Sequence, residues 1–202
     1  MSSLKSFLYG VAPIVGISPA ALYERQRALV KLGLLTVTPG RGPGSGVPLS
    51  ADNVAVMVIC LLAAETLGDV DQRIAPLCNA LPRGNAIKRR QWEKHPDGAP
   101  TFRSEVARVL SLEPTLWMPR SRHREYCGIR VSRCWRGQII SGIGALQSAD
   151  YLVDAFDHRS ERSISITAEI EDAMLSQLVI FTRGALSQTA EELPDPPEES
   201  EQ

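Results

Sequence analysis

Leu4, Phe7, Leu8 and Val11 recur at spacings of three, one and three residues, the apolar stripe of a short first helix. Pro13 can open a second, very short helix that Gly16 closes. The segment Ile17-Ser18-Pro19-Ala20-Ala21-Leu22 then carries a helix start, because Ser18 can cap orphan backbone N–H groups and Pro19 suits the first helical position. Leu22, Leu29 and Leu32, with Ala21 and Ala28, form its inward stripe. Gly33 supplies a left-handed cap against which Leu34 and Leu35 pack. Leu35 to Thr38 reads as a short strand and Gly46 to Leu49 as its partner. Pro39 to Ser45 between them is too rich in glycine and proline for a regular element, which predicts a hairpin with a basic tip.

Ser50 is a good N-cap for a helix over Ala51 to Leu67. That stretch is apolar nearly all round, so it is expected to be buried in a core or a dimer interface. A further helix is predicted from Val70 to Leu81, followed by a polar, basic loop that includes Lys88, Arg89 and Arg90. Another helix follows Thr101, with Phe102, Val106, Val109 and Leu110 inward. The period then falls to two. Ile129, Val131 and the Arg133–Trp135 stretch alternate, and Gln138 to Ile143 follows across a turn near Gly137, a β-hairpin. Ser163 to Ala168 alternates again with Ile164 and Ile166 on one face, and Ile170 to Leu186 returns to helical spacing, with Asp172 in the acidic first turn. Residues 190–202 are acidic and proline-bearing with no large apolar residue after Leu193, the composition of a disordered tail.

Composition changes this picture little. The 202 residues are 44% hydrophobic and 22% charged, enough apolar material for a sizeable core. Gly10 and Pro13 break the first apolar stretch, which does not read as a signal peptide, and Val54 to Ala64 falls short of the ~20 residues a bilayer requires. A cytoplasmic protein without membrane contact is expected. Cys60, Cys78, Cys127 and Cys134 include no CxxC pair. Although His123, Cys127 and Cys134 could share a metal, free reduced thiols, no metal and no cofactor are the expectation. Charge is unevenly distributed: through residue 142 there are 19 Lys+Arg against 10 Asp+Glu, and beyond it 3 against 13. Such asymmetry predicts a polyanion-binding front and an acidic end.

A helix, a short helix, a tight turn, a capped helix and a glycine-rich basic hairpin follow the layout of a winged helix-turn-helix, whose capped helix reads the major groove. The fold class expected is α+β: this N-terminal unit with following helices, then a small antiparallel sheet with a C-terminal helix. The boundaries are 1–67 for a DNA-binding domain, 68–189 for a dimerisation or partner-binding module, and 190–202 for the tail. On the helix from Pro19, Ala20, Tyr23, Glu24, Arg25, Arg27 and Lys31 should face outward. Tyr23 and Arg25 are expected at base edges, with Arg27 and Lys31 nearer phosphates. Ser18 would offer a backbone N–H at the helix start, and Arg41 at the wing tip would enter the minor groove or meet a neighbouring phosphate. Arg25→Ala should then relax sequence preference, and Arg41→Ala should weaken binding to all sequences.

The stretch from Ile17 to Ala63, with its GRGPGSG wing leading into a capped apolar helix, resembles the N-terminal domain of helix-turn-helix proteins from alphaproteobacterial prophages and related mobile elements. More loosely it is similar to MerR-type regulators, without their long C-terminal coiled coil. The resemblance implies a transcriptional regulator that binds double-stranded DNA, and the buried helix over 51–67 could hold two readers as a homodimer at the fixed spacing palindromic operators require. Two alternatives remain: an activator or antiterminator contacting RNA polymerase, and a small terminase subunit that oligomerises to package DNA. The second half offers no active-site pattern, so no enzyme is expected. Its densest basic-aromatic region is Arg120, Arg122, Arg124, Arg130, Arg133 and Arg136 with Trp117, Tyr126 and Trp135, which fits either a polyanion or a solvated cationic face.

Overall fold

The computed structural model describes residues 3–40, 46–83, 100–111, 128–132, 136–140, 149–152, 167–170 and 172–191. They form an α+β protein, mostly helical, with one small antiparallel sheet. In chain order the elements are α1 (Leu4–Val15), α2 (Pro19–Lys31), α3 (Ala51–Ala63), α4 (Leu67–Cys78), β1 (Leu81–Arg83), α5 (Phe102–Ser111), β2 (Gly128–Ser132), β3 (Arg136–Ile140), β4 (Ala149–Leu152), β5 (Thr167–Ile170) and α6 (Asp172–Glu191).

Local signals set most helix ends. The Ser18 hydroxyl accepts from the Ala21 N–H at 3.3 Å, and Pro19 occupies the first turn of α2, as its sequence predicts. At the other end Gly33 adopts φ 72°, its N–H reaching the Val30 carbonyl at 2.9 Å and that of Leu34 reaching the Leu29 carbonyl at 3.0 Å. This pair of bonds is a Schellman cap, and it needs the left-handed conformation that glycine adopts without strain. Ser50 caps α3 through the Asn53 N–H at 3.1 Å.

Several expectations are corrected. Pro13 does not open a separate helix but lies inside α1, which runs unbroken to Val15 and ends at Gly16 with φ 67°. Proline there removes only the bond to the Tyr9 carbonyl, and Tyr9 is solvent-facing, so water can replace it. The apolar helix stops at Ala63 rather than Leu67, because Thr66 begins the next one. The Asp69 carboxylate accepts from the Thr66 N–H at 3.1 Å and from its hydroxyl at 3.0 Å, a local cap that ends the preceding helix. Helix α4 accordingly lies three residues earlier at each end than the periodicity predicts. Gly137 lies within β3 opposite Val131, and the hairpin link is 133–135, since Ser132 and Arg136 are the closing pair. Ile170 belongs to β5, and α6 extends through Glu191 into the predicted tail. Ile164, Ile166 and residues 192–202 lie outside the described residues.

Helix α3 is the spine. It packs against α2, α4, α5 and α6 and against β2 and β5, so a single chain covers it on every side. That accounts for its all-round apolarity, with Val54 through Cys60 all buried, and places it in the core rather than in a dimer interface. Phe102, Val106, Val109 and Leu110 of α5 are each 0% exposed, the inward face predicted for it. Across its front α3 carries Asp52, which pairs with Arg103 of α5, Arg103 Nε donating to its carboxylate at 2.7 Å.

The sheet has the order β1-β4-β3-β2-β5, with every neighbouring pair antiparallel. Ile129, Val131 and Ile170 are buried on the face that meets α3. Arg130 sits opposite Glu169 and donates to its carboxylate at 2.9 and 3.2 Å. Helix α6 returns to α1, where the Phe7 and Phe181 rings lie 5.2 Å apart. The buried residues from Leu4 to Val179 form one continuous cluster with members on both sides of residue 67.

Candidate nucleic-acid interface

Gly16, Ile17 and Ser18 join α1 to α2, a three-residue turn with a left-handed glycine at its first position. Leu22, Gln26 and Leu29 face inward from α2. The opposite ridge, at spacings of four, three and four residues, is Ala20, Glu24, Arg27 and Lys31, all exposed. This is most of the outward face predicted from the sequence. Arg27 pairs with Glu24 at 3.1 Å, and the side chains of the pair are 65% and 50% exposed, so the contact is weak and readily exchanged.

Two residues of the predicted face lie at its flanks, half-buried. Tyr23 turns toward α1, where the Lys5 ammonium sits 4.8 Å from its ring centroid. Lys5 thereby joins this surface without having been expected from the sequence. The available signal is its position at the flank of the Leu4, Phe7, Leu8 and Val11 stripe.

Arg25 turns the other way. Its Nη1 donates to the Ala21 carbonyl at 3.4 Å and its Nη2 to the Glu65 carbonyl at 3.3 Å, in the link between α3 and α4. Its Nε is buried with no hydrogen-bond partner. Just before the same link, Arg73 of α4 donates to the Ala63 carbonyl at 3.4 Å and pairs with Asp69 at 3.1 Å. Two guanidinium groups thus hold the carboxyl end of α3, where its unpaired carbonyls favour positive charge.

Beyond α2 the predicted hairpin is reduced to one bridge. Thr38 and Gly46 exchange N–H···O bonds at 2.8 and 3.0 Å, with Val37 exposed beside them. The returning segment continues to α1: Ser3 bridges Pro48, and the Leu4 N–H reaches the Val47 carbonyl at 2.9 Å. Residues 46–48 are therefore laced on one side to Thr38 and on the other to the start of α1, which ties the hairpin base to that helix. The tip, with Arg41, lies outside the described residues.

Other candidates resolve differently. Arg130 is committed to Glu169, while Arg120, Arg122, Arg124 and Arg133 lie outside the described residues, as do Trp117, Tyr126 and Trp135. So do His123, Cys127 and Cys134. Cys60 and Cys78 are free thiols, and burial pushes each up to about 12, against smaller opposing effects of Arg25 on the first and Arg103 on the second. Thiols so raised are poor nucleophiles and poor metal ligands at neutral pH. An open hollow of about 380 Å³ beside the turn is lined by Tyr9, Ala12, Pro13, Gly16, Ile17, Ser18 and Pro19, which include no carboxylate, histidine or amine for acid–base work. Among the described residues, no helix is long and apolar enough to cross a membrane.

No protein-family model, curated protein or solved structure matches the chain. The resemblance to helix-turn-helix proteins therefore rests on its residues alone.

Proposed function

We propose that residues 1–67 are a winged helix-turn-helix that binds double-stranded DNA by sequence, and that the protein is a transcriptional regulator, of phage or mobile-element genes as the resemblance implies. The carrying observation is the exposed ridge Ala20-Glu24-Arg27-Lys31 on a capped helix, three residues after α1 and beside a tethered hairpin base. In this reading α2 enters the major groove by its first turns. Ala20 permits close approach and apolar contact with a thymine methyl, and Glu24 can accept from a cytosine amine once Arg27 exchanges it for a phosphate. Arg27, Lys31 and Lys5 neutralise phosphates, Tyr23 braces Lys5, and Arg41 reaches the neighbouring backbone or minor groove. Ser18, whose hydroxyl is committed to Ala21, contributes through the backbone at the helix start. A palindromic operator requires two such helices about 34–36 Å apart, so the regulator acts as a homodimer through a surface other than α3.

The test is selection of bound duplexes from a random pool by the full chain, followed by a salt titration on the winner. The expected result is one enriched motif. The double variant Arg27→Ala/Lys31→Ala should lower the slope of log affinity against log salt by about 2, close to one unit per lost phosphate contact. No enriched motif, or an unchanged slope, would overturn the reading. Sedimentation separates the rivals: a ring-sized assembly points to DNA packaging, and a monomer or dimer to regulation.

A further inference from the structure

Arg25 is the residue of α2 whose placement departs most from a freely presented groove contact. Its neighbours on the helix, Glu24 and Arg27, face solvent, but Arg25 is half-buried and reaches across to a carbonyl forty positions further along the chain. The buried, unpartnered Nε shows that the stem of the guanidinium is enclosed, with its terminal nitrogens turned to main-chain oxygens. The same link is gripped by Arg73. Because α3 is enclosed by the remainder of the protein, the Ala64–Thr66 link is a fixed point, and a helix bonded to it inherits its orientation.

We propose that Arg25 is a positioning residue. It docks α2 on the α3–α4 link, fixes the angle at which the Ala20-Glu24-Arg27-Lys31 ridge is presented, and touches neither base nor phosphate. This rests on the DNA-binding reading above and specifies how that site is held. A helix set wrongly by a few degrees misplaces every side chain on its ridge together, whereas loss of a contacting residue affects one base pair or one phosphate.

Three measurements on the full chain test this. In the free protein, the Arg25 Nε–H should appear in 15N spectra as a slowly exchanging resonance, and adding the selected duplex should leave it in place. Arg25→Ala should weaken binding to that duplex about tenfold, the equivalent of one lost hydrogen bond. The slope against salt should stay unchanged, and base preference should weaken at all positions in parallel. Arg73→Ala, in α4 and beyond the proposed reader, should reproduce that pattern more mildly. It keeps the test open if Arg25→Ala fails to fold.

A salt slope lowered by about one, or preference lost at a single base pair, would mean that Arg25 contacts DNA, and would overturn the proposal. So would an Nε–H that exchanges rapidly or shifts on adding the duplex, or an Arg73→Ala variant that binds like the parent. If the parent selects no duplex at all, the DNA reading fails and the positioning role fails with it. A protected Nε–H would then identify Arg25 as a packing residue only.

Discussion

At the scale of single residues, two glycines in helices make opposite demands. A Cβ built on Gly10 in α1 would lie 2.2 Å from Phe181 Cζ, closer than any real contact, so the ring packs where a side chain would otherwise stand. Gly184 in α6 has nothing within 4 Å of the same position. Gly10→Ala should therefore destabilise by about 1–3 kcal/mol as Phe181 is displaced, despite alanine's better helix propensity. Gly184→Ala should stabilise by about 0.5–1 kcal/mol. Urea midpoints of both variants check this, and midpoints moving in the same direction would contradict it. The buried thiols make a second residue-scale prediction. Their folded values near 12 exceed the unfolded 9.0, so below pH 9 the folded protein loses nothing, and between 9 and 12 only the unfolded chain releases the protons. Stability should fall as pH rises through that window. Cys60→Ala should flatten the fall, measured as the urea midpoint at pH 8 and pH 10.5.

At the scale of elements, Ser18 separates helix stability from DNA contact. Ser18→Ala removes the acceptor for the Ala21 N–H and should cost about 1 kcal/mol. Ser18→Asp keeps a capping oxygen and suits the positive end of α2, so thermal unfolding should stay near the parent's. Its negative charge faces the expected phosphates, however, and affinity for DNA should drop several-fold. If Ser18→Asp bound DNA as the parent does, the start of α2 would not be at the interface. This capped helix was legible in the sequence because its signals are local: Ser18, Pro19 and Gly33 act within a few residues of themselves, as do Ser50 and the apolar spacing of α5. Strands β1 and β4 were not. Leu81-Pro82-Arg83 has a proline at its centre and pairs only because Ala149–Leu152 lies beside it, and an edge position tolerates the missing donor. Periodicity likewise gave the angular position of Arg25 on α2, but a long flexible side chain at the flank of a face can turn inward, and the carbonyl it meets is set by tertiary packing.

At the scale of the whole molecule, the proposed reader and the remainder share α3. Its apolar surface is covered by α5, α6 and the sheet, none of which lies within residues 1–67. A fragment of residues 1–67 should therefore expose that helix and fail to hold α2 in place. The expected readout is dye binding to exposed apolar surface with dispersion-poor amide spectra. A well-dispersed, monomeric fragment that still selects DNA would show that the front folds unaided.

The contact between Phe7 and Phe181 also bears on the protein's birth. A ribosome emits α1 and α2 long before α6, and at about 5–20 residues per second the delay is on the order of ten seconds. Through that interval the groove that will accept the Phe181 ring stands open on α1, and α3 lacks most of its cover. The proposed reader is made before the helix that completes its packing, so on the DNA-binding reading a nascent chain should bind DNA only after α6 has emerged.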